Sequence, residues 1–420
     1  MNIFKNNLYK NNLVASIIKA RLFCKENFTM SVRENYNHTI YACYIGYITQ
    51  AIVNNFAPLL FLTFQSTYDI SMDKIAFLVT MNFGVQLIVD FLAAKFVDKI
   101  GYRTCVVAAH IFSAIGLAGL AIFPGIFSNH YIGLLIAIFF YAIGGGLIEV
   151  LISPIVEACP TEKKEAAMSL LHSFYCWGHV FVILSSTLFF IFVGIKNWYI
   201  LACLWAIIPL LNTFYFLKVP IQTLVEHDEG LSTKELFRLK AFWILLILMI
   251  CAGASEQGMS QWASAFAESG LNVSKTIGDL AGPCSFAILM GCSRIFYAKF
   301  SEKIKLDLFM MCSGGLCIIS YLIAALSSNP IWGLIGCGLC GLSVGVLWPG
   351  TFSIASKSLR RGGTAMFAFL ALAGDVGCSL GPTVVGTISG VFQDDLKKGF
   401  LVAIIFPVFL ILGLVAYNKK

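Results

Sequence analysis

The sequence predicts an all-α integral membrane protein with twelve transmembrane helices in two six-helix pseudo-repeats. Of its 420 residues, 58% are hydrophobic and only 12% are charged, which is about half the charged fraction of an average soluble protein. Apolar runs of about 20 residues, the length that crosses a bilayer, recur along the whole chain. The two halves of the chain also share a repeated motif. Together these observations favour a lipid environment.

The predicted spans are apolar runs separated by short polar segments. They cover residues 39–64, 74–94, 103–123, 131–156, 166–191, 197–217, 241–266, 277–298, 307–327, 331–355, 364–389 and 399–417. The polar stretch 218–240 is a predicted cytoplasmic linker between the halves 38–217 and 241–420. Residues 1–37 are a predicted cytoplasmic extension, because they lack the compact basic region, apolar run and cleavage site of a signal peptide.

The two halves carry the same landmarks at nearly constant spacing. The run AKFVDKI at 94–100 follows the second span, and the run AKFSEKI at 298–304 follows the eighth. Pro154 in span 4 corresponds to Pro349 in span 10. Matches in the same order indicate a duplicated six-helix unit, a pattern described for one large class of secondary transporters.

The excess of basic over acidic residues is explained by membrane topology. The net charge is +7. With the N-terminus inside, only Lys74, Lys196, Lys275, Lys397 and Lys398 of the 29 Lys and Arg residues fall outside. This distribution follows the positive-inside rule. We therefore expect a multi-pass protein of the cell membrane with both termini cytoplasmic, and no nucleic-acid partner.

The fourteen cysteines are scattered through the apolar runs without paired spacing. Most are therefore expected to be small buried side chains. No Cys/His cluster has metal-ligand spacing, and the Asp, Glu and His residues occur without a nucleophile arrangement. We expect no metal, no cofactor and no enzymatic activity.

Polar side chains concentrate in spans 1, 2, 4, 5, 7 and 11, whereas the interiors of spans 3, 6, 9 and 12 carry no charged residue. Charge at bilayer depth is costly, so these polar groups should face a central pathway, with the third span of each triplet facing lipid. On spans 1, 2, 5 and 7 they recur every three or four residues and share a helix face. The candidate solute-binding residues are Gln50, Asn54, Asn82, Gln86, His172, Tyr175, His179, Gln257, Gln261, Trp262 and Trp348.

Helix packing explains several of these residues as well as solute contact does. Asn82 and Gln86 could form hydrogen bonds between helices, and His172 and His179 could pack between them. Glycines in spans 4, 10 and 11 are typical of closely packed membrane helices.

Three acids are candidates for proton coupling: Glu149, Glu256 and Asp375. Glu149 lies deep in span 4 on a stripe of small residues. A carboxyl group in such surroundings is costly to keep ionised, so it is suited to binding and releasing a proton.

The run VDKIGYR at 97–103 resembles the loop between helices 2 and 3 of the major facilitator superfamily. In that family the loop is a gate latch, in which an anion at a helix start and basic residues make contacts that break as the halves move. The second copy of the motif lacks the glycine. The residues assigned to the gate are Asp90, Asp98, Lys99, Gly101, Arg103, Arg294, Glu302 and Lys303.

The run GGLIEVLISP at 145–154 resembles span 4 of the fucose permease branch of that superfamily, with Ser153 in place of an asparagine. The branch also carries an aspartate in helix 1, four residues before a proline. Here Asn54 stands at that position before Pro58. An asparagine cannot carry a proton, so coupling must rely on Glu149 or another acid.

These features predict proton-coupled uptake of a small polar solute, such as a monosaccharide, by a transporter that functions as a monomer in the bilayer. Amides suit sugar hydroxyls, and aromatic faces suit the apolar side of the ring. Arg294 is expected at the inner end of span 8, which argues against an anionic solute. An exporter that exchanges protons for hydrophobic or cationic compounds is the alternative, and a receptor on the same fold is a third interpretation.

Overall fold

The computed structural model describes residues 31–160, 164–222, 233–300, 303–359 and 363–418, and every regular element in them is helical. Within these ranges, twelve helices are long and apolar enough to cross a membrane. We number them α1 (Tyr36–Tyr68), α2 (Met72–Ile100), α3 (Tyr102–Ile126), α4 (His130–Ala158), α5 (Lys164–Phe192), α6 (Trp198–Phe216), α7 (Lys240–Gly270), α8 (Lys275–Tyr297), α9 (Leu306–Leu326), α10 (Pro330–Ser358), α11 (Gly363–Val391) and α12 (Leu396–Asn418). The predicted fold class and number of spans are confirmed.

Short polar segments end one helix and begin the next. The side chains of Asn35, Asn129 and Asn329 each accept a hydrogen bond from the backbone two residues later, at the starts of α1, α4 and α10. Such caps satisfy amide groups that have no partner within the helix. Gly101, with φ of 96°, makes the tight turn between α2 and α3, a conformation that glycine adopts without strain. A short helix, Thr233–Arg238, precedes α7.

Three of the long helices contain 3-10 or π-helical turns. In α1 a 3-10 turn covers Ala57–Leu60, which includes Pro58. In α7 and α8, π-helical turns cover Phe266–Gly270 and Leu280–Cys284. Proline removes a backbone donor, which accounts for the turns at Pro58 and at Pro283 in α8.

Because the twelve helices alternate in direction, both described ends of the chain lie on one face of the bundle, which we call the terminal face. Near the opposite face, the first six helices contact the last six. Gln261 Nε2 in α7 donates to the Asn54 carbonyl in α1 at 3.0 Å, and Thr80 in α2 shares a hydrogen bond with Thr383 in α11. Lys275 Nζ lies 5.6 Å from the centre of the Phe190 ring in α5. These contacts close the bundle on the opposite face.

Glycines allow α7 and α11 to approach closely. A Cβ atom on Gly377 would overlap the Ile250 carbonyl, and one on Gly381 would overlap the backbone of Ala254. Close packing of this kind is a general use of small residues between membrane helices. Packing therefore accounts for these two glycines of span 11.

Burial differs strongly among the helices. The buried share of the membrane-spanning stretch is 83% in α1 and 78% in α7, but 33% in α12. The first helix of each half is therefore central. Exposed apolar side chains such as Leu211 and Phe214 in α6 and Phe409 and Leu412 in α12 give these helices the surface that lipid requires.

Candidate functional site

A polar cavity of about 160 Å³ lies at the centre of the bundle, between the two halves. Both halves contribute polar and aromatic side chains to its wall. The lining residues are Tyr47, Gln50, Asn54, Phe83, Glu149, Tyr175, Glu256, Gln257, Arg294, Trp348, Asp375 and Cys378. Eight of the fourteen residues that we predicted for solute binding or proton coupling are among them.

A network of amides forms the wall contributed by the first half. Gln50 Nε2 donates to Gln86 Oε1 at 3.0 Å and to Glu149 Oε2 at 3.2 Å. Gln86 Nε2 in turn donates to Asn54 Oδ1 at 3.0 Å and to Asn82 Oδ1 at 2.9 Å. Gln86 and Asn82 are buried behind the cavity wall. Their hydrogen bonds join α1 and α2, as expected if these two residues pack the helices together.

Three carboxyl groups from different helices meet beside the cavity. One carboxylate oxygen from each of Asp90 in α2, Glu149 in α4 and Asp375 in α11 lies within 4.8 Å of the other two. Asp90 and Asp375 are in side-chain hydrogen-bond contact with each other, and no donor group of another described residue reaches Asp90 Oδ1 or Asp375 Oδ2. Carboxylates at this spacing repel one another, so shared protons or a bound cation must offset the charge. Asp90, which we expected at a gate, belongs to this carboxyl trio, and the trio joins the two halves.

A second chain of polar groups runs along α7. Gln257 Nε2 donates to Glu256 Oε1 at 3.3 Å, and Gln261 Nε2 donates to Gln257 Oε1 at 2.9 Å. Glu256 and Gln257 line the cavity, whereas Gln261 lies nearer the opposite face and contacts α1. This chain links the cavity to the closed side of the bundle.

Arg294 also lines the cavity, although the sequence led us to expect it at the inner end of α8. Its Nε donates to the Gly345 carbonyl at 3.0 Å and its Nη1 to Cys176 Sγ at 3.1 Å. The side chain therefore reaches back from the terminal side of α8 toward the centre. Span boundaries alone do not reveal the reach of a long arginine side chain.

A larger cavity of about 660 Å³ lies between α5, α8 and α10 on the terminal side of the central one. We call it the vestibule. Arg294 and Trp348 line both cavities, and the exposed Trp177 and Ile295 lie at the vestibule wall. The two cavities thus share the Arg294 and Trp348 side chains as a boundary.

Several predicted binding residues lie away from the cavity. Trp262 is fully buried, donates to the Pro382 carbonyl at 2.9 Å and packs on Phe61 with ring centres 5.2 Å apart. It is a packing residue between α1, α7 and α11. His179 is buried but does not line the cavity. The side chain of His172 lies outside the described residues.

Four of the predicted latch residues, Lys99, Gly101, Arg103 and Lys303, lie at the terminal face, at the ends of helices and away from the cavity wall. Arg103 donates to the carbonyls of Phe216 and Val219 at 2.7 and 2.8 Å, so it holds the end of α6 within its own half. Lys99 and Lys303 are exposed. The side chain of Asp98 and the whole of Glu302 lie outside the described residues.

Three lining residues were missing from our predicted site: Tyr47, Phe83 and Cys378. Tyr47 shares a 3.0 Å hydrogen bond with Ser153. A signal for it existed, because Tyr47 precedes Gln50 by one helical turn on the same face. Phe83 and Cys378 carry no such signal, since apolar residues of these types also occur throughout the lipid-facing helices.

Comparisons with known proteins agree with this architecture. The sequence model of the Major Facilitator Superfamily matches residues 43–382, and no curated protein sequence matches the chain. Among solved structures, the nucleoside transporter NupG is 14% identical, with a TM-score of 0.72 over 93% of this chain and 100% of that one. A D-xylose–proton symporter is 15% identical, with a TM-score of 0.71 over 91% and 96%.

A variant of the E. coli fucose:proton symporter FucP is 14% identical, with a TM-score of 0.61 over 91% of this chain and 98% of that one. At these identities the likeness concerns the fold.

Proposed function

Because the chain belongs to the Major Facilitator Superfamily and encloses a polar cavity between its halves, we propose that it takes up a small polar solute by alternating access, coupled to protons. The observation that carries the proposal is the carboxyl trio. It lies beside the cavity and draws Asp90 and Glu149 from one half and Asp375 from the other.

The size and chemistry of the cavity support a sugar or a similar solute. A volume of about 160 Å³ is below the range of roughly 300–1,000 Å³ of sites for drug-sized ligands. Gln50, Asn54 and Gln257 supply amide groups for hydroxyls, and Tyr175 and Trp348 supply aromatic faces. Structural neighbours that are named as nucleoside, xylose and fucose transporters are consistent with this class.

Through the carboxyl trio, proton binding can change the conformation of the protein. Protons that neutralise Glu149 and its neighbours relieve repulsion across the two halves, and their loss restores it. Proton binding therefore biases how closely the halves pack at the level of the cavity. Glu256 is a further acid on the cavity wall that can take part.

In the proposed orientation the terminal face is cytoplasmic and the membrane is the cell membrane. The closed opposite face then faces outward, and the vestibule lies on the cytoplasmic side. One chain contains both halves of the pathway, so the proposed working unit is a monomer. Arg103 and its loop, together with the corresponding loop of the second half, serve as the proposed gate.

A second candidate function is export of a hydrophobic or cationic compound in exchange for protons. Two features favour it: the acids on the cavity wall, and the volume of the vestibule, about 660 Å³, which lies within the range of drug-sized sites.

The direction of proton movement separates the two functions. Purified protein is reconstituted in liposomes with a pH-sensitive dye, and monosaccharides and then cationic drugs are added. Symport predicts that protons enter with the sugar, and that Glu149→Gln abolishes this proton signal. Proton movement opposite to a drug supports the exporter. An unchanged proton signal in Glu149→Gln contradicts the assignment to Glu149.

A further inference from the structure

The most unusual group in the central cavity is the Arg294 guanidinium. Its two hydrogen bonds go to neutral acceptors, the Gly345 carbonyl and Cys176 Sγ. Both ion pairs among the described residues involve Lys275, so Arg294 makes no direct ion pair with a described carboxylate. Glu256, which also lines the cavity, interacts with Arg294 electrostatically without this direct contact. A charge held inside a membrane protein is costly unless an opposite charge approaches it.

The charge on Arg294 restricts the solutes that the cavity can hold well. Once Glu256 is protonated, a neutral sugar leaves the guanidinium uncompensated, and a cationic solute adds a second positive charge beside it. An anionic group compensates it directly, because the planar guanidinium matches a carboxylate with two parallel hydrogen bonds. Arg294 lies at the boundary of the cavity and the vestibule, where an arriving solute can reach it.

The acids on the same wall then set the order of binding. Glu149, Glu256 and Asp375 line the cavity and repel an anion when they are ionised. Protons on these acids remove the repulsion, so the anion binds well only to the protonated carrier. Neutral carboxyl groups can also donate hydrogen bonds to the hydroxyl oxygens of a solute.

We propose that the solute is a small hydroxylated carboxylate of the sugar-acid class, with its carboxylate on Arg294 and its hydroxyls on the amide wall of Gln50, Asn54 and Gln257. This inference rests on the proposed function and narrows its solute. It also explains why solute binding should require proton binding. When the acids on the cavity wall are ionised, they repel the anionic solute.

The test uses pairs of solutes that differ by one group. Each pair is a hexose and the uronate derived from it: glucose with glucuronate, galactose with galacturonate, and mannose with mannuronate. Binding to the purified full chain is measured by calorimetry, and proton uptake is measured in liposomes. We expect at least one uronate to bind about tenfold or more tightly than its hexose, in line with a charge-assisted bidentate contact.

Substitutions at Arg294 identify the source of this preference. Arg294→Gln should lower uronate affinity roughly tenfold to a hundredfold, the range for a lost hydrogen bond to a charged group, and leave hexose affinity little changed. Arg294→Lys keeps the positive charge but loses the planar guanidinium that makes two parallel hydrogen bonds. This variant should retain part of the preference for the uronate. Arg238→Gln, at an exposed arginine of the helix Thr233–Arg238, is the matched control and should bind as wild type does.

The outcomes separate this inference from the proposed function. Hexose-driven proton uptake with no uronate preference overturns the anion inference and keeps the proposed function. Uronate binding that depends on Arg294, without proton movement, supports the inference and contradicts proton coupling. Absence of binding by every uronate, or a preference that survives in Arg294→Gln, overturns the inference.

Discussion

At the scale of single residues, amide side chains set the geometry of the site. Gln86 accepts from Gln50 and donates to Asn54 and Asn82, and it is almost completely buried. Through Gln50 the same network reaches Glu149. A buried amide with satisfied donors and acceptor fixes the positions of its partners, because each alternative leaves a polar group unpaired. The cavity wall thus depends on residues that do not themselves line the cavity.

Replacement of Gln86 tests this dependence. Gln86→Leu leaves Gln50 and Asn54 without these partners and should lower the free energy of unfolding by about 1–3 kcal/mol. A lower midpoint of thermal unfolding in detergent would record the loss. Gln65→Leu is the matched control, because Gln65 bonds Asp394 at the exposed end of α1. Equal shifts in both variants would contradict a special role for Gln86.

The sequence predicts these residues better than it predicts their roles. Glu149 and Asn54 were expected at the cavity because deep polar residues seldom face lipid. Asp90 and Arg294 were assigned to a gate from their positions along α2 and α8, yet both belong to the central site. Which polar residue faces the solute and which stands behind it depends on helix rotation and side-chain reach, and periodicity alone does not determine either.

At the scale of helices, α7 and α11 form a tightly packed pair. Gly377 and Gly381 face the backbone of Ile250 and Ala254 directly. Two cavity residues, Glu256 on α7 and Asp375 on α11, lie next to this contact in the chain. A separation of the two helices would therefore move both acids, so the glycines position the site as well as packing the bundle.

A methyl group at Gly377 should disturb this contact. Gly377→Ala forces α7 and α11 apart and should destabilise the protein by about 1–3 kcal/mol, the usual cost of overpacking. Gly315→Ala in α9 is the control, because an added Cβ there would meet no atom of another helix within 4 Å. That substitution should be neutral or stabilising, since alanine favours a helix over glycine. The stability of both variants is measured as the ratio of folded to aggregated protein after heating. A Gly377→Ala variant as stable as wild type would contradict the packing role.

At the scale of the whole molecule, the structure is closed on one face. The Thr80–Thr383 hydrogen bond and the Gln261–Asn54 contact join the halves near the opposite face. On the terminal side, the central cavity is followed by the vestibule. Alternating access requires that these contacts break when the cavity opens to the opposite face.

A crosslink between the halves tests this requirement. The double variant Thr80→Cys with Thr383→Cys should form a disulfide under mild oxidation, because the two hydroxyls are in hydrogen-bond contact. The crosslink should abolish solute flux in liposomes, and a reductant should restore it. Each single variant under the same oxidant is the control. Full flux in the crosslinked protein would show that this face need not open.

The overall architecture was largely predictable for a physical reason. Lipid requires long apolar helices, and the repeat of the AKF motif at 94–100 and 298–304 fixes the relation of the two halves. The closed face and the vestibule were not predictable, because a transporter sequence is compatible with more than one arrangement of its halves. The carboxyl trio escaped notice because its members lie far apart in the chain.

The central claim is that protons at the carboxyl trio drive solute movement. The most direct measurement is solute accumulation in liposomes as a function of an imposed pH difference, for wild type and Glu149→Gln. We expect wild type to concentrate the solute in proportion to the gradient. Glu149→Gln should exchange solute across the membrane without concentrating it. Wild-type accumulation that does not change with the pH difference, or undiminished accumulation by Glu149→Gln, would contradict proton coupling through the carboxyl trio.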